Sequence, residues 1–308
     1  MERCPCPLGC PEDDHLVLEA PDRLHGVAGR FSVVRCGSCG LLRTNPRPTP
    51  VEIGAFYPND YAPHQDSEAP GADADSGRHA WLKRILALQP RATPPVRPGR
   101  LLEVGCAGGG YLESMRRAGW VAEGIEFSER AATKARAKGF RVQTAQIESA
   151  EPPAQPPDLI AAWMVLEHLH EPVHALSRMR EWIAPGGYLI ASVPDAGALE
   201  RRLFGERWYA LQVPTHLFHY TPITFEKLLQ ASGWTLERVR WQRNCMNLLN
   251  SLEYVAHDTN RPWLQRWVRW LRSPAAGRVR VVLGWVLGAM RQSGRIEIWA
   301  RPATAENI

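Results

Sequence analysis

Several features of membrane, exported and nucleic-acid-binding proteins are missing from this sequence. No stretch approaches the roughly 18 apolar residues that cross a bilayer, and the segment MERCPCPLGCPEDD lacks the apolar core of an export signal. Lysine is scarce, with four lysines against 33 arginines, a bias that GC-rich codon usage explains. The net charge of +5 therefore does not by itself indicate nucleic-acid binding. We expect a cytoplasmic protein without a nucleic-acid partner; the sequence does not indicate its oligomeric state.

Cysteine is concentrated at one end of the chain, where five of the seven cysteines fall within the first 39 residues. In a reducing compartment such a cluster indicates metal binding more than disulfides. Cys36 and Cys39 have the spacing of a zinc knuckle, and the second half comes from Cys4, Cys6 and Cys10. We predict a structural zinc ion held by Cys6, Cys10, Cys36 and Cys39, because Cys6 and Cys10 have the usual separation. The alternative is a set of free thiols that has lost its metal.

Composition divides the chain into three parts. Residues 1–61 hold the cysteine cluster and a short predicted strand pair, and are predicted to form a small zinc-ribbon-like module. Residues 62–77 contain almost no large apolar residue and are predicted to be a flexible linker. Residues 78–308 begin with a predicted helix, RHAWLKRILAL, and then alternate apolar runs with helical segments, which predicts a parallel α/β sheet with helices on both faces. The predicted strands are LLEVG, VAEGIE, FRVQT, DLIAAW, YLIASVP, 234–241 and 295–301.

A glycine-rich turn, EVGCAGGG, follows the first strand of this predicted sheet. Gly105 and Gly108 do not match the GxGxxG fingerprint of dinucleotide sites, and Glu103 places a negative charge where a pyrophosphate would be repelled. A carboxylate there suits a cationic ligand such as S-adenosylmethionine (SAM), with glycine allowing a close approach of the backbone. Glu126, at the end of the second strand, is then a partner for the ribose hydroxyls. The sequence favours a SAM site over a dinucleotide site.

These motifs resemble those of class I SAM-dependent methyltransferases. EVGCAGGG, GIE, DLIAAWMVLEHL and PGGYLIASVP resemble, in order, the first motif, the second-strand acid, and the fourth and fifth strands of that family. The resemblance implies a Rossmann-like seven-stranded methyltransferase sheet that binds SAM. Gln146 stands where many of these enzymes have an aspartate that contacts the adenine amino group, and its amide oxygen can accept from the same amine. The implied cofactor-binding residues are Glu103, Gly105, Cys106, Gly108, Glu126, Phe127, Gln146 and Ile147.

Two histidines follow predicted strands at the rim of the sheet. The motifs VLEHL and P-x-H-x-F-x-Y-x-T resemble a subgroup that includes deoxysugar C-methyltransferases and ubiquinone-type O-methyltransferases. The resemblance implies that His216 belongs to the active site, although Thr215 stands where the sugar enzymes have glutamate. His216 and His168 are our candidate catalytic residues, as a base or as groups that position the acceptor. The alternatives are loop packing for His216, and cofactor stacking or helix capping for His168.

The insertion at about 245–294 is basic and rich in tryptophan. From Thr259 to Ile296 there are eight arginines and no acidic residue. In PWLQRWVRWLR the apolar residues recur with helical spacing and arginines flank them, which predicts an amphipathic helix. The run VRVVLGWVLGAM that follows is too short to span a bilayer and is predicted to be an interfacial helix at an anionic membrane. The alternative is an insertion that covers the substrate pocket or forms a dimer contact.

The motifs together predict a SAM-dependent methyltransferase that acts on a small-molecule acceptor, either a sugar or a lipid-linked intermediate at the inner membrane face. Tyr57 and Tyr61 could cover its pocket or pack the small module against the main domain. Another class of function fits the same motifs, because a non-catalytic protein can keep this fold as a binding scaffold. A dinucleotide dehydrogenase is a weaker alternative.

Overall fold

The computed structural model describes residues 1–57 and 96–303. The predicted linker at 62–77, the helix RHAWLKRILAL and Tyr61 lie outside the described residues.

A mixed sheet of seven strands forms the main body of the described residues and confirms the predicted fold class. The strands in chain order are β1 (Asp14–Pro21), β2 (Arg30–Cys36), β3 (Leu42–Thr44), β4 (Arg100–Val104), β5 (Val121–Glu126), β6 (Arg141–Thr144), β7 (Leu159–Trp163), β8 (Tyr188–Pro194), β9 (Phe218–His219), β10 (Trp234–Trp241) and β11 (Arg295–Pro302). The large sheet has the order β10-β11-β8-β7-β4-β5-β6. The five neighbouring strands β8, β7, β4, β5 and β6 are parallel, whereas β11 runs antiparallel to both of its neighbours.

Helices cover both faces of this sheet. The helices in chain order are α1 (Gly110–Arg117), α2 (Glu129–Ala137), α3 (Pro172–Trp182), α4 (Leu199–Phe204), α5 (Pro222–Ala231), α6 (Met246–Thr259), α7 (Pro262–Arg272) and α8 (Gly277–Ala289). Leu176 of α3 and Leu228 of α5 belong to one apolar cluster, whereas Leu112 of α1 and Ala132 of α2 belong to another. The two clusters are the cores on opposite sides of the sheet.

Strand β7 shows why the central strands read as continuous apolar runs. All five of its residues are buried. Ile160 and Ala162 face the first cluster, whereas Leu159, Ala161 and Trp163 face the second. Because consecutive side chains of a strand alternate between faces, a strand covered on both sides needs apolar residues at every position.

A smaller sheet joins the N-terminal part to the main domain. Its order is β1-β2-β3-β9, so the last strand comes from the segment after β8. Leu42 pairs with His219 and Arg43 pairs with Phe218. The sequence analysis predicted neither β1, whose residues are largely polar or exposed, nor β9, which has only two residues. A two-residue strand shows no periodicity.

The tryptophan-rich insertion consists of α6, α7 and α8, which lie between β10 and β11. Small apolar clusters join these helices, with Leu249 and Leu271 in one and Ala256 and Val268 in another. Among the described residues, no helix has both the length and the apolar character needed to cross a bilayer.

Candidate functional site

The glycine turn after β4 has a backbone shape that depends on glycine. Gly105 has φ +71°, and a Cβ there would lie 2.5 Å from Cγ2 of Val165. Gly109, with φ +78°, precedes α1 as its N-cap. Side chains are disfavoured at both positions by φ, and at Gly105 also by the close Val165 side chain. The turn therefore brings the exit of β4 close to the segment that follows β7.

The Glu126 carboxylate at the end of β5 faces this turn. Its Oε2 accepts from the Ala107 N–H at 2.8 Å, and its Oε1 accepts from the Ser128 N–H at 2.8 Å. A carboxylate has about four acceptor positions, so it can also accept from two further donors. Two neighbouring hydroxyl groups of one ligand are suitable donors for these positions.

Two further predicted residues of the turn are buried beside it. The Glu103 side chain is 1% exposed, and that of Cys106 is 2% exposed. Cys106 packs against β5, since a Cβ on Gly124 would lie 2.5 Å from its Sγ. Burial and the nearby Glu103 and Glu126 carboxylates raise the pKa of the Cys106 thiol, so it stays protonated and unreactive. The Gly108 backbone is buried in the same turn.

The remaining predicted cofactor residues differ in how far their side chains are exposed. Phe127 is 57% exposed next to Glu126, and Gln146 is exposed after β6. Ile147 is 3% exposed and packs in the first apolar cluster. Only the main chain of Ile147 is therefore available to a ligand.

His168 and His216 lie side by side. Their ring centroids are 4.6 Å apart, with the ring planes at 79°. Nδ1 of His168 lies 2.9 Å from the Thr215 carbonyl oxygen, and Nδ1 of His216 lies 2.9 Å from the Ala210 carbonyl oxygen. A carbonyl only accepts, so Nδ1 carries the hydrogen in both rings and Nε2 keeps the lone pair.

Burial keeps both rings neutral. It lowers the pKa of His168 to about 4, and it lowers the pKa of His216 well below its ordinary value. Each ring can therefore offer a lone pair at neutral pH.

Glu167 lies with the two histidines, although the sequence pattern does not place it among the candidate site residues. One ligand atom each of Glu167, His168 and His216 lies within 4.8 Å of the others. Burial raises the pKa of Glu167 to about 8, and the Arg295 guanidinium lowers it by a smaller amount. The sequence offered one signal, the adjacency of Glu167 and His168, but burial is not visible in sequence.

The N-terminal part contacts this cluster directly. The Tyr57 hydroxyl lies 3.0 Å from Nδ1 of His168, where it is a second acceptor for the same N–H. The Thr44 hydroxyl, in β3, donates to the His216 carbonyl oxygen at 2.7 Å. The His168 ring and the His216 main chain are thus both contacted by residues from outside the large sheet.

The sequence profile of a family described as a methyltransferase domain matches residues 75–239. The chain belongs to this methyltransferase family. A ubiquinone biosynthesis O-methyltransferase from Caulobacter sp. is 36% identical over 101 residues, a match that covers 30% of this chain and 40% of that protein. The Aeromonas salmonicida protein of the same description is 27% identical over 147 residues, covering 44% of this chain and 62% of its own. The chain thus spans less than two thirds of either relative.

Among solved structures, the chain is similar to a SAM-dependent methyltransferase from Mesorhizobium loti. The two are 17% identical with a TM-score of 0.47, and the match covers 74% of this chain and 99% of the other.

Four cysteine thiols of the chain meet in its N-terminal part. They are those of Cys6, Cys10, Cys36 and Cys39. Their sulfur atoms lie within 4.8 Å of one another, with Cys6 and Cys39 separated by 3.5 Å. Cys4 is not in this group, and its carbonyl oxygen accepts from Arg43 and Asn45. Four thiols at this spacing fit tetrahedral zinc, in which each Zn–S bond is about 2.3 Å.

Proposed function

We propose that this protein transfers the methyl group of SAM to a small-molecule acceptor. The observation that carries the proposal is the Glu126 carboxylate, which is fixed against the glycine turn and can accept from two more donors. The ribose hydroxyls of SAM are such donors, and the Glu103 carboxylate offers a negative charge for the cationic end of the cofactor. The turn backbone, Phe127 and the main chain at 146–147 complete the proposed cofactor surface.

The proposed reaction is an in-line displacement at the methyl carbon. The acceptor atom forms a bond to that carbon while the carbon–sulfur bond breaks, and the electron pair of the broken bond returns to sulfur. The acceptor loses a proton, and we assign its removal or its positioning to His216 and His168. Their neutral rings can accept a hydrogen bond from the acceptor through Nε2.

We place the acceptor among sugars and lipid-linked intermediates, at an anionic membrane surface. The support lies in α7, which buries Leu264 and Val268 on one side. Its other side exposes three tryptophans, Trp263, Trp267 and Trp270, with exposed fractions of 60%, 47% and 47%. Tryptophan beside arginine suits the boundary between lipid headgroups and acyl chains. A dimer contact is the competing use of this face.

We further propose that the four thiolates hold a structural zinc ion. Four protein ligands leave no coordination position for a substrate, so the ion would stabilise the N-terminal part without taking part in methyl transfer. Through Thr44 and Tyr57, that part supports the histidine pair.

Release of S-adenosylhomocysteine tests the reaction. Purified protein with SAM is assayed against three acceptor classes: nucleotide sugars, prenylated phenols and small carboxylates. We expect turnover with one of the first two classes, and we expect His216→Asn to lower kcat at least about tenfold without changing SAM affinity. SAM binding without product release from any class would support the scaffold function instead.

A further inference from the structure

The Glu167 carboxylate is a buried acceptor to which no other residue donates in the described part of the chain. Its side chain is 0% exposed, and neither carboxylate oxygen has a hydrogen-bond partner among the described residues. Its backbone, by contrast, is well fixed, since its carbonyl oxygen accepts from Leu217 at 2.8 Å and from Phe218 at 3.2 Å. A buried carboxylate without a donor costs free energy unless a cation or a proton compensates it.

The two imidazoles beside it are oriented as metal ligands are. A metal-binding histidine commonly donates its other ring N–H to a carbonyl or carboxylate, which fixes the ring and leaves one lone pair for the metal. His168 and His216 both make this bond, to the carbonyls of Thr215 and Ala210. The lone pairs on Nε2 are then free for coordination.

The spacing of the three groups also suits one metal ion bound between them. The ligand atoms lie within 4.8 Å of one another, yet Glu167 bonds to neither ring. Metal bonds of about 2.0–2.2 Å would draw such atoms somewhat closer. Two imidazole nitrogens and one carboxylate oxygen favour a first-row transition metal over magnesium or calcium, which prefer oxygen ligands.

We propose that Glu167, His168 and His216 bind a divalent transition-metal ion. Val165, two residues before Glu167, packs against Gly105, which places the segment that carries two of the ligands beside the turn proposed to hold SAM. Three protein ligands leave positions open, and an acceptor oxygen bound there would lose its proton to water more easily. This inference rests on the proposed function and changes one step of it. An Nε2 lone pair that binds the ion cannot also take the acceptor's proton, so the histidines would act on the acceptor through the ion and the proton would pass to water.

Manganese is a suitable probe, measured by electron paramagnetic resonance on the full chain with its zinc loaded. We expect one Mn²⁺ per chain in addition to the zinc, with pulsed spectra showing coupling to imidazole nitrogen. Glu167→Gln keeps the shape of the side chain and removes its charge, so we expect at least about tenfold weaker binding. Glu200→Gln is the matched control, since Glu200 is also buried and lies outside the cluster. It should bind Mn²⁺ like the wild type.

The outcomes separate this inference from the proposed function. Calorimetry with SAM on the same samples reports the cofactor site independently of the metal. Protein that binds SAM but takes up no second ion at millimolar Mn²⁺, or whose bound Mn²⁺ shows no nitrogen coupling, would overturn the metal site. The wild-type spectra decide the question even where a variant fails to fold.

Discussion

Buried histidines surround the segment that links the two sheets, and each is held by the main chain or by a neighbouring side chain. His219, in β9, is 2% exposed, and its Nε2 lies 3.4 Å from the Thr44 hydroxyl. Burial lowers its pKa to about 3, and the Arg201 guanidinium contributes in the same direction. Protonation of this ring therefore opposes the folded state.

A pH-dependent stability follows for His219. Its folded pKa lies below its unfolded value near 6.5, so the unfolded chain binds more protons and the free energy of unfolding falls as pH drops below about 6.5. One such group contributes a slope of up to about 1.4 kcal/mol per pH unit. We expect His219→Gln to reduce this slope in urea unfolding between pH 6.5 and 4.5. The exposed His174→Gln is the control, and equal slopes in both variants would refute the assignment.

Some residues of the candidate site could be predicted from the sequence, and others could not. Glu126 and the glycines stand out because strand ends and turns leave local patterns. Glu167 could not be assigned, since sequence shows neither its burial nor its closeness to residue 216. Ile147 shows a different limit, because the sequence predicts it at the cofactor but does not show that its side chain lies in the core, where only its main chain is open to a ligand.

At the scale of elements, strand β9 shows that the N-terminal part shares a sheet with the main domain. The predicted module at 1–61 contributes three strands to a sheet whose fourth comes from the main domain. That strand immediately follows Leu217, next to the histidine pair. Loss of order in the cysteine cluster should therefore affect the site as well as the module.

The cysteine cluster gives a direct test of the zinc proposal. Cys36→Ser removes one thiolate, and we expect elemental analysis to show well below one zinc per chain, together with a lower melting temperature. Cys4→Ser is the matched control, because Cys4 is buried but is not in the group. Wild-type protein that is free of zinc and equally stable would rule out the structural ion.

Helix α7 gives a second test at this scale. Replacing Trp267 and Trp270 with serine removes two half-exposed aromatic side chains, and we expect binding to phosphatidylglycerol vesicles to weaken at least about tenfold. Added salt should also weaken the binding, since arginine contributes to it. Ile223→Ser is the control, because Ile223 is 67% exposed on α5. Equal sedimentation of all three proteins would favour a protein contact for this face.

At the scale of the whole molecule, the large sheet could be predicted because apolar runs, such as the fully buried β7, alternate along the chain with helical segments. The way the N-terminal part joins it could not, because that joint is two residues long and pairs segments far apart in sequence. The boundary predicted near residue 61 stays a prediction, since the residues around it are not described.

The central claim is that the turn after β4 and the Glu126 carboxylate form a SAM site. Isothermal titration calorimetry with SAM and with NADH tests it most directly. We predict saturable binding of SAM and none of NADH, with Glu126→Gln weakening SAM at least about tenfold through the loss of charge-assisted bonds to the ribose. Binding of NADH instead of SAM, or a Glu126→Gln protein that binds SAM as tightly as the wild type, would contradict the account.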